Sequence, residues 1–215
     1  SAQAALFEKA LTRLRVEQPV VLGHSWGTLV ALAMALDYPQ KVRGLVLVSG
    51  YYYPTARLDV AMTAPVALPV LGDVMRYTVS PVFGRLAFRK TIEVMFAPRP
   101  VPDRFRETLS REMMLRPSQI RANAEDAAFM IPAAARFEYR YPTLQVPVRI
   151  LAGAEDRVVD TQEQAARLRA ELPQSKLRVF QNIGHMVHYA ALDATVAAVE
   201  ELAEGSTSAP RAAAA

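Results

Sequence analysis

The feature that most restricts this chain is a five-residue stretch, Gly23-His24-Ser25-Trp26-Gly27, between a short apolar run, Pro19-Val20-Val21-Leu22, and a helical repeat over residues 28–38. Runs of that kind read as strands buried on both faces, as in a parallel sheet. Leu29, Leu32, Ala33 and Leu36 recur at helical spacing until Pro39 stops the helix. So short a turn between strand and helix forces its central residue into a strained backbone conformation. Small residues two positions to either side keep neighbouring chain from colliding with it. Leu45-Val46-Leu47-Val48 is a second buried strand, which makes the unit a βαβ crossover, right-handed in nearly all proteins. Upstream, Leu6, Ala10, Leu11 and Leu14 set one face of a helix over residues 2–16 against a core.

From 51 to 142 the texture changes, because 10 of the chain's 15 prolines fall there and β-branched runs vanish. Short helices joined by proline turns are expected, with the clearest at 103–115 and at 118–131, the latter capped by Ser118. After Pro147 the alternation resumes: strand 148–152, helix 161–172, strand 176–180, helix 188–203. The predicted class is therefore α/β, a parallel sheet of about four strands interrupted by a helical insertion. Its expected parts are core 1–50, insertion 51–142, core 143–204 and a mobile tail over 205–215.

Composition narrows the function. Lys plus Arg total 25 and Asp plus Glu 21, and the net +4 is dispersed, so a nucleic-acid partner is not indicated. Cysteine is absent, which removes disulfides, thiolate metal sites and cysteine nucleophiles and leaves the compartment open. The most apolar stretch, 60–72, is broken by Pro65 and Pro69 and is too short to span a membrane. Glu8, Lys9, Arg13 and Arg15 make the first residues unlike a secretory signal, and the chain starts on Ser1, so further sequence upstream is expected.

The strand–turn–helix pattern around Gly23-x-Ser25-x-Gly27 is that of a nucleophile elbow, which lifts the Ser25 hydroxyl to the carboxyl end of the sheet. A serine hydroxyl needs a base, and the base needs a carboxylate to orient it. Three histidines are available. His24 adjoins Ser25 and is expected to project away and pack beside the turn. His185 follows Gly184 in a loop after the 176–180 strand and is favoured over His188, which opens the next helix. Asp156, in Gly153-Ala154-Glu155-Asp156 after the 148–152 strand, is the favoured carboxylate. Glu155 is the alternative as a solvated loop residue, and Asp160 as a helix cap. Each member of the set follows a different strand.

These residues, Gly23-His24-Ser25-Trp26-Gly27, Gly153-x-x-Asp156 and Gly184-His185-Met186, resemble the α/β-hydrolase superfamily over residues 1 to about 204, with 51–142 similar to its cap. The resemblance implies Ser25 as nucleophile, His185 as base, Asp156 as its orienter and the Trp26 backbone N–H as one oxyanion donor, with no metal or organic cofactor. Serine at the elbow argues against the branches that carry aspartate there. An apolar acyl compound is the expected small-molecule substrate, cleaved as an ester. The same triad is also used for carbon–carbon bond hydrolysis, proline aminopeptidase action and perhydrolysis. Twelve aromatic and methionine residues of the insertion, among them Tyr51, Met62, Phe83, Phe129 and Met130, are available for an acyl pocket, and packing roles are the commoner fate of such residues.

One departure weighs against the match. Only 24 residues precede Ser25, which leaves no room for the strands that family members carry there or for the loop that supplies a second oxyanion donor. The expected reading is the carboxyl-terminal part of a longer hydrolase whose first strand forms an apolar pairing edge. The alternatives are a shortened protein completed by a second chain and a catalytically incomplete fragment that only binds.

Overall fold

The computed structural model describes residues 1–205, the side chains of Leu58 and Asp59 excepted. Of the expected tail only Gly205 falls within that range, as the C-cap of the last helix. Four parallel strands, β1 (Val20–His24), β2 (Gly44–Val48), β3 (Val148–Gly153) and β4 (Ser175–Phe180), form one sheet in the order β1-β2-β3-β4. The expected α/β class with four strands is the observed one. Side chains alternate across the strands. Leu45, Leu47, Val148 and Ile150 join the core beneath α2 (Gly27–Asp37), whereas Val46, Val48 and Leu151 face α11 (Leu192–Glu204) on the other side. Helix α1 (Ala2–Arg13) packs on α2, with Ser1 as its N-cap.

The two edges of the sheet differ. β4 carries Lys176 and Arg178, charges that discourage a further strand, and Lys176 is paired with Glu201. β1 carries no formal charge along Val-Val-Leu-Gly-His, and Leu22 is 43% exposed. Four of its five residues are not fully buried, so the expectation that this strand is buried on both faces fails, and among the described residues β2 is its one strand neighbour.

The 51–142 segment is helical, but less fragmented than its prolines suggest. It contains α3 (Leu58–Ala67), α4 (Leu71–Met75), α5 (Val79–Phe96), α6 (Asp103–Thr108), α7 (Arg111–Met114) and α8 (Pro117–Glu138). Helix α8 begins at Pro117, where a missing N–H costs nothing, so Ser118 is not its cap. It also runs through Pro132 to Glu138. An internal proline costs about 3 kcal/mol, and burial of Met130, Ala134 and Phe137 against the core offsets it. The expected helix over 103–115 is split, because Ser110 stays extended and its Oγ accepts the Met113 N–H. The 161–172 helix opens as a π-turn, Gln162–Ala166, before α9 (Arg167–Glu171), and the extra residue carries Gln164 and Ala165 into the interior. The 188–203 helix is broken at Ala191 into α10 (Val187–Ala190) and α11.

Candidate active site

Ser25 occupies the turn between β1 and α2 with φ 53°, a left-handed conformation uncommon for a residue with a Cβ. Its strain is held by three backbone anchors: Ser25 N–H donates to Val48 O at 3.0 Å, and its carbonyl accepts from Thr28 N–H at 3.0 Å and Thr28 Oγ1 at 2.7 Å. A Cβ on Gly23 would stand 2.6 Å from the Gly27 carbonyl oxygen, so nothing larger than glycine fits there. At Gly27 the expectation of crowding is overturned, since a Cβ would meet nothing within 4 Å. Trp26 is the N-cap of α2, and its N–H has no carbonyl of that helix to donate to.

Asp156 and His185 meet. His185 Nδ1 lies 2.8 Å from Asp156 Oδ2, with the two side chains 1% and 2% exposed. A carboxylate only accepts, so Nδ1 carries the proton and the Nε2 lone pair is left for chemistry. The other carboxylate oxygen, Oδ1, accepts from Val158 N–H at 2.8 Å and Val159 N–H at 3.0 Å, which fixes its plane.

β1 and β4 lie at opposite edges of the sheet, about 14 Å apart at roughly 4.8 Å per strand spacing. The chain after β4 closes that distance by folding back over the strand ends. Ile183 and Gly184 cross the end of β3, where a Cβ on Gly153 would overlap both of their carbonyl oxygens. Glu155 ties this loop down: its N–H donates to Ile183 O at 3.1 Å, and its carboxylate accepts the Ile183 N–H at 3.0 Å. It is the exposed loop residue expected, with its carboxylate engaged by the loop as well. Asp160 is the helix cap expected, accepting the Gln162 and Glu163 amides at 2.8 Å each. From the other side Arg99 donates to Asn182 O at 3.0 Å and to Ala190 O at 3.3 Å.

The loop ends against β1. His24 Nε2 lies 3.1 Å from the His185 carbonyl oxygen, and the His24 ring stands 4.9 Å from that of His185 and 4.3 Å from that of His188. Because a carbonyl only accepts, His24 Nε2 is the protonated nitrogen. Burial, with the neighbouring His185 and His188, pushes the His24 pKa down to about 3, so the ring is neutral at ordinary pH. The His188 pKa is likewise lowered by burial. His24 thus packs beside the turn, and all three histidines form one cluster. Among the described residues the Ser25 hydroxyl itself makes no hydrogen bond.

Ser25 and Trp26 line a cavity of about 240 Å³ whose other walls include Tyr51, Val60, Ala127 and Met130, with Arg57, Asn123 and Asp126 as its polar groups. Burial raises the Asp126 carboxyl above its ordinary range. Of the twelve apolar residues singled out in the insertion, Tyr51 and Met130 reach this cavity. Tyr52 and Tyr53 are core residues, whereas Met62, Phe83, Met113, Met114 and Phe129 face solvent. Sequence reasoning missed Gln164, which is 2% exposed. Its Oε1 accepts the Tyr52 and Tyr53 amides at 2.6 and 2.8 Å, and its Nε2 donates to Tyr53 O at 3.0 Å and Thr55 Oγ1 at 3.2 Å. No signal short of the fold marks it.

A family model described as the alpha/beta hydrolase fold matches residues 1–191. The chain belongs to that family. A curated Pseudomonas sp. protein named 2-hydroxy-6-oxononadienedioate/2-hydroxy-6-oxononatrienedioate hydrolase is 26% identical to this α/β-hydrolase chain over 193 residues, 89% of the chain and 64% of the relative. The chain thus spans less than two thirds of that relative's length. Among solved structures, an alpha/beta hydrolase fold protein from Burkholderia ambifaria superposes with a TM-score of 0.75 at 24% identity, covering 91% of this chain and 70% of its own. An esterase from Exiguobacterium antarcticum gives 0.64 at 18% identity, covering 93% and 72%. At these identities the two structures speak for the fold alone. Among the described residues no helix is long and apolar enough to cross a membrane.

Proposed function

We propose that this α/β-hydrolase chain carries a serine hydrolase site in which Ser25 forms an acyl-enzyme. The observation that supports this most is the buried 2.8 Å Asp156–His185 pair, held over the same strand ends at which Ser25 sits in a strained turn. Ser25 Oγ attacks the carbonyl carbon while His185 Nε2 takes its proton. Asp156 stabilises the imidazolium, and the proton then passes to the leaving group. Water, deprotonated by the same nitrogen, releases the acyl group. The Trp26 N–H supports the oxyanion. The gap between Ser25 and His185 closes with substrate, as is common for catalytic contacts that are loose in unliganded enzymes.

The helical segment 51–142 acts as the cap, and its Tyr51, Val60 and Met130 give the cavity an apolar wall suited to an acyl group. Among the described residues Asp126 is the one acid that lines it, whereas Glu112, Glu125 and Glu138 are paired with Arg85, Arg121 and Arg167 elsewhere, which argues against an amine-binding peptidase. The uncharged, exposed β1 edge is a place for a further strand, from the same polypeptide or another chain, and a second oxyanion donor would come with it. A site short of one donor works about 100- to 1000-fold more slowly.

A second reading, carbon–carbon bond hydrolysis through the same three residues, is favoured by the dienedioate named for the Pseudomonas relative. Intact-mass analysis during turnover of p-nitrophenyl butyrate separates the readings from no activity. An adduct of one butyryl group that disappears in Ser25→Ala supports the ester reading. Cleavage of a 2-hydroxy-6-oxo-dienedioate without ester turnover favours the second. Neither product would refute both.

A further inference from the structure

We propose that His24 is a positioning residue for the base, holding the 183–188 loop at the height of Ser25 through its Nε2–H bond to the His185 carbonyl and its packing against the His185 and His188 rings. The inference rests on the reading of Ser25 and His185 as nucleophile and base. Its ground is geometric. The base arrives from β4, three strand spacings away from β1, on a loop whose Ile183 and Val187 pack on Val46, Val48 and Leu151, and whose other hydrogen-bond ties among the described residues, from Glu155 and Arg99, reach Asn182, Ile183 and Ala190 but not His185. Asp156 holds the ring of His185 but comes from β3, so it does not fix the distance from the loop to the elbow. His24 does. It is the residue before the nucleophile, and its side chain spans to the backbone of the base itself at 3.1 Å. The carbonyl can only accept, so the one proton of the neutral ring sits on Nε2, and a ring this hard to protonate does not compete with His185 for the serine proton.

Glutamine supplies the test, because its Nε2 lies as many bonds from Cα as the histidine Nε2, whereas asparagine is one bond too short. The rate constant for inactivation by a fluorophosphonate, kinact, and the apparent binding constant are measured for wild type, His24→Gln, His24→Asn and His24→Leu. A misplacement of about 1 Å at a reacting pair costs on the order of 100-fold. The expectation is a 10- to 100-fold fall in kinact for His24→Asn and His24→Leu at unchanged binding, with His24→Gln restored to within a few-fold of wild type. Equal kinact in all four proteins, or an equal fall in all three variants, overturns the proposal. Failure of wild type to label at Ser25 would instead sink the nucleophile reading. The loop is then read directly: amide exchange over 183–188 that rises in His24→Leu and not in His24→Gln supports the tether, and unchanged exchange overturns it.

Discussion

Replacing Gln164 by leucine tests how the helical segment is fastened to the sheet. The side chain is enclosed, and its amide completes four hydrogen bonds to residues 52–55, the stretch that directly follows Tyr51, a wall of the Ser25 cavity. Leucine has similar volume, so little cavity is created, but the Tyr52 and Tyr53 N–H groups lose their acceptor in a dry interior. Each stranded donor costs about 1–3 kcal/mol, and the pair therefore roughly 2–6 kcal/mol. Against a domain stability of about 5–15 kcal/mol that is a large fraction. With a urea m-value of about 2 kcal/mol/M, the midpoint should fall by roughly 1–3 M, followed by far-UV circular dichroism. Gln162→Leu, two residues away and exposed, should move it by less than about 0.5 kcal/mol. A Gln164→Leu protein within about 1 kcal/mol of wild type would refute the reasoning, because it would mean that water or a backbone shift satisfies both amides.

Three further outcomes follow. Gly23→Ala should prevent stable folding or lower the urea midpoint sharply, since its Cβ would press on the Gly27 backbone, whereas Gly27→Ala should be neutral or slightly stabilising; equal effects would contradict the geometry of the turn. His24 binds a proton in the unfolded chain near pH 6.5 but in the folded one only near 3, so stability falls as pH drops from 6.5 toward 3. Two units of that window are worth up to about 2.7 kcal/mol, and about 1–2 after allowance for partial exposure. The stability lost between pH 7 and 4.5 should accordingly be smaller by that amount in His24→Gln, and equal losses would count against a neutral buried ring. Asp156→Asn keeps the acceptor for Val158 and Val159 but loses the charge that steadies His185, so fluorophosphonate labelling should slow by about 1000-fold or more with little change in melting temperature. A rate near that of wild type would remove Asp156 from the site.

Strand β2 was legible because a parallel strand covered on both sides must be a continuous apolar run, as Leu45 to Val48 is, whereas β3 and β4, which carry Arg149, Lys176 and Arg178, were legible from their place in the strand–helix alternation after Pro147. The insertion was harder. Proline is a local signal, and at Pro132 the local cost is outweighed by what Met130, Ala134 and Phe137 bury, which no window around the residue reveals. The candidate residues Ser25, Asp156 and His185 stood out because each follows a different strand and is flanked by glycine or a loop. The His24–His185 bond and the Glu155–Ile183 tie did not, since both depend on the path of a loop across the sheet rather than on any spacing in sequence.

In the proposed function one hydroxyl is made reactive by one imidazole. Reaction with a fluorophosphonate, followed by peptide mapping, tests it in wild type, Ser25→Ala, His185→Ala and His188→Ala. A single adduct on Ser25 is expected, absent in Ser25→Ala, slowed by several hundred-fold or more in His185→Ala and nearly unaffected in His188→Ala. Labelling that survives His185→Ala but is lost in His188→Ala, or an adduct on any other residue, would contradict it.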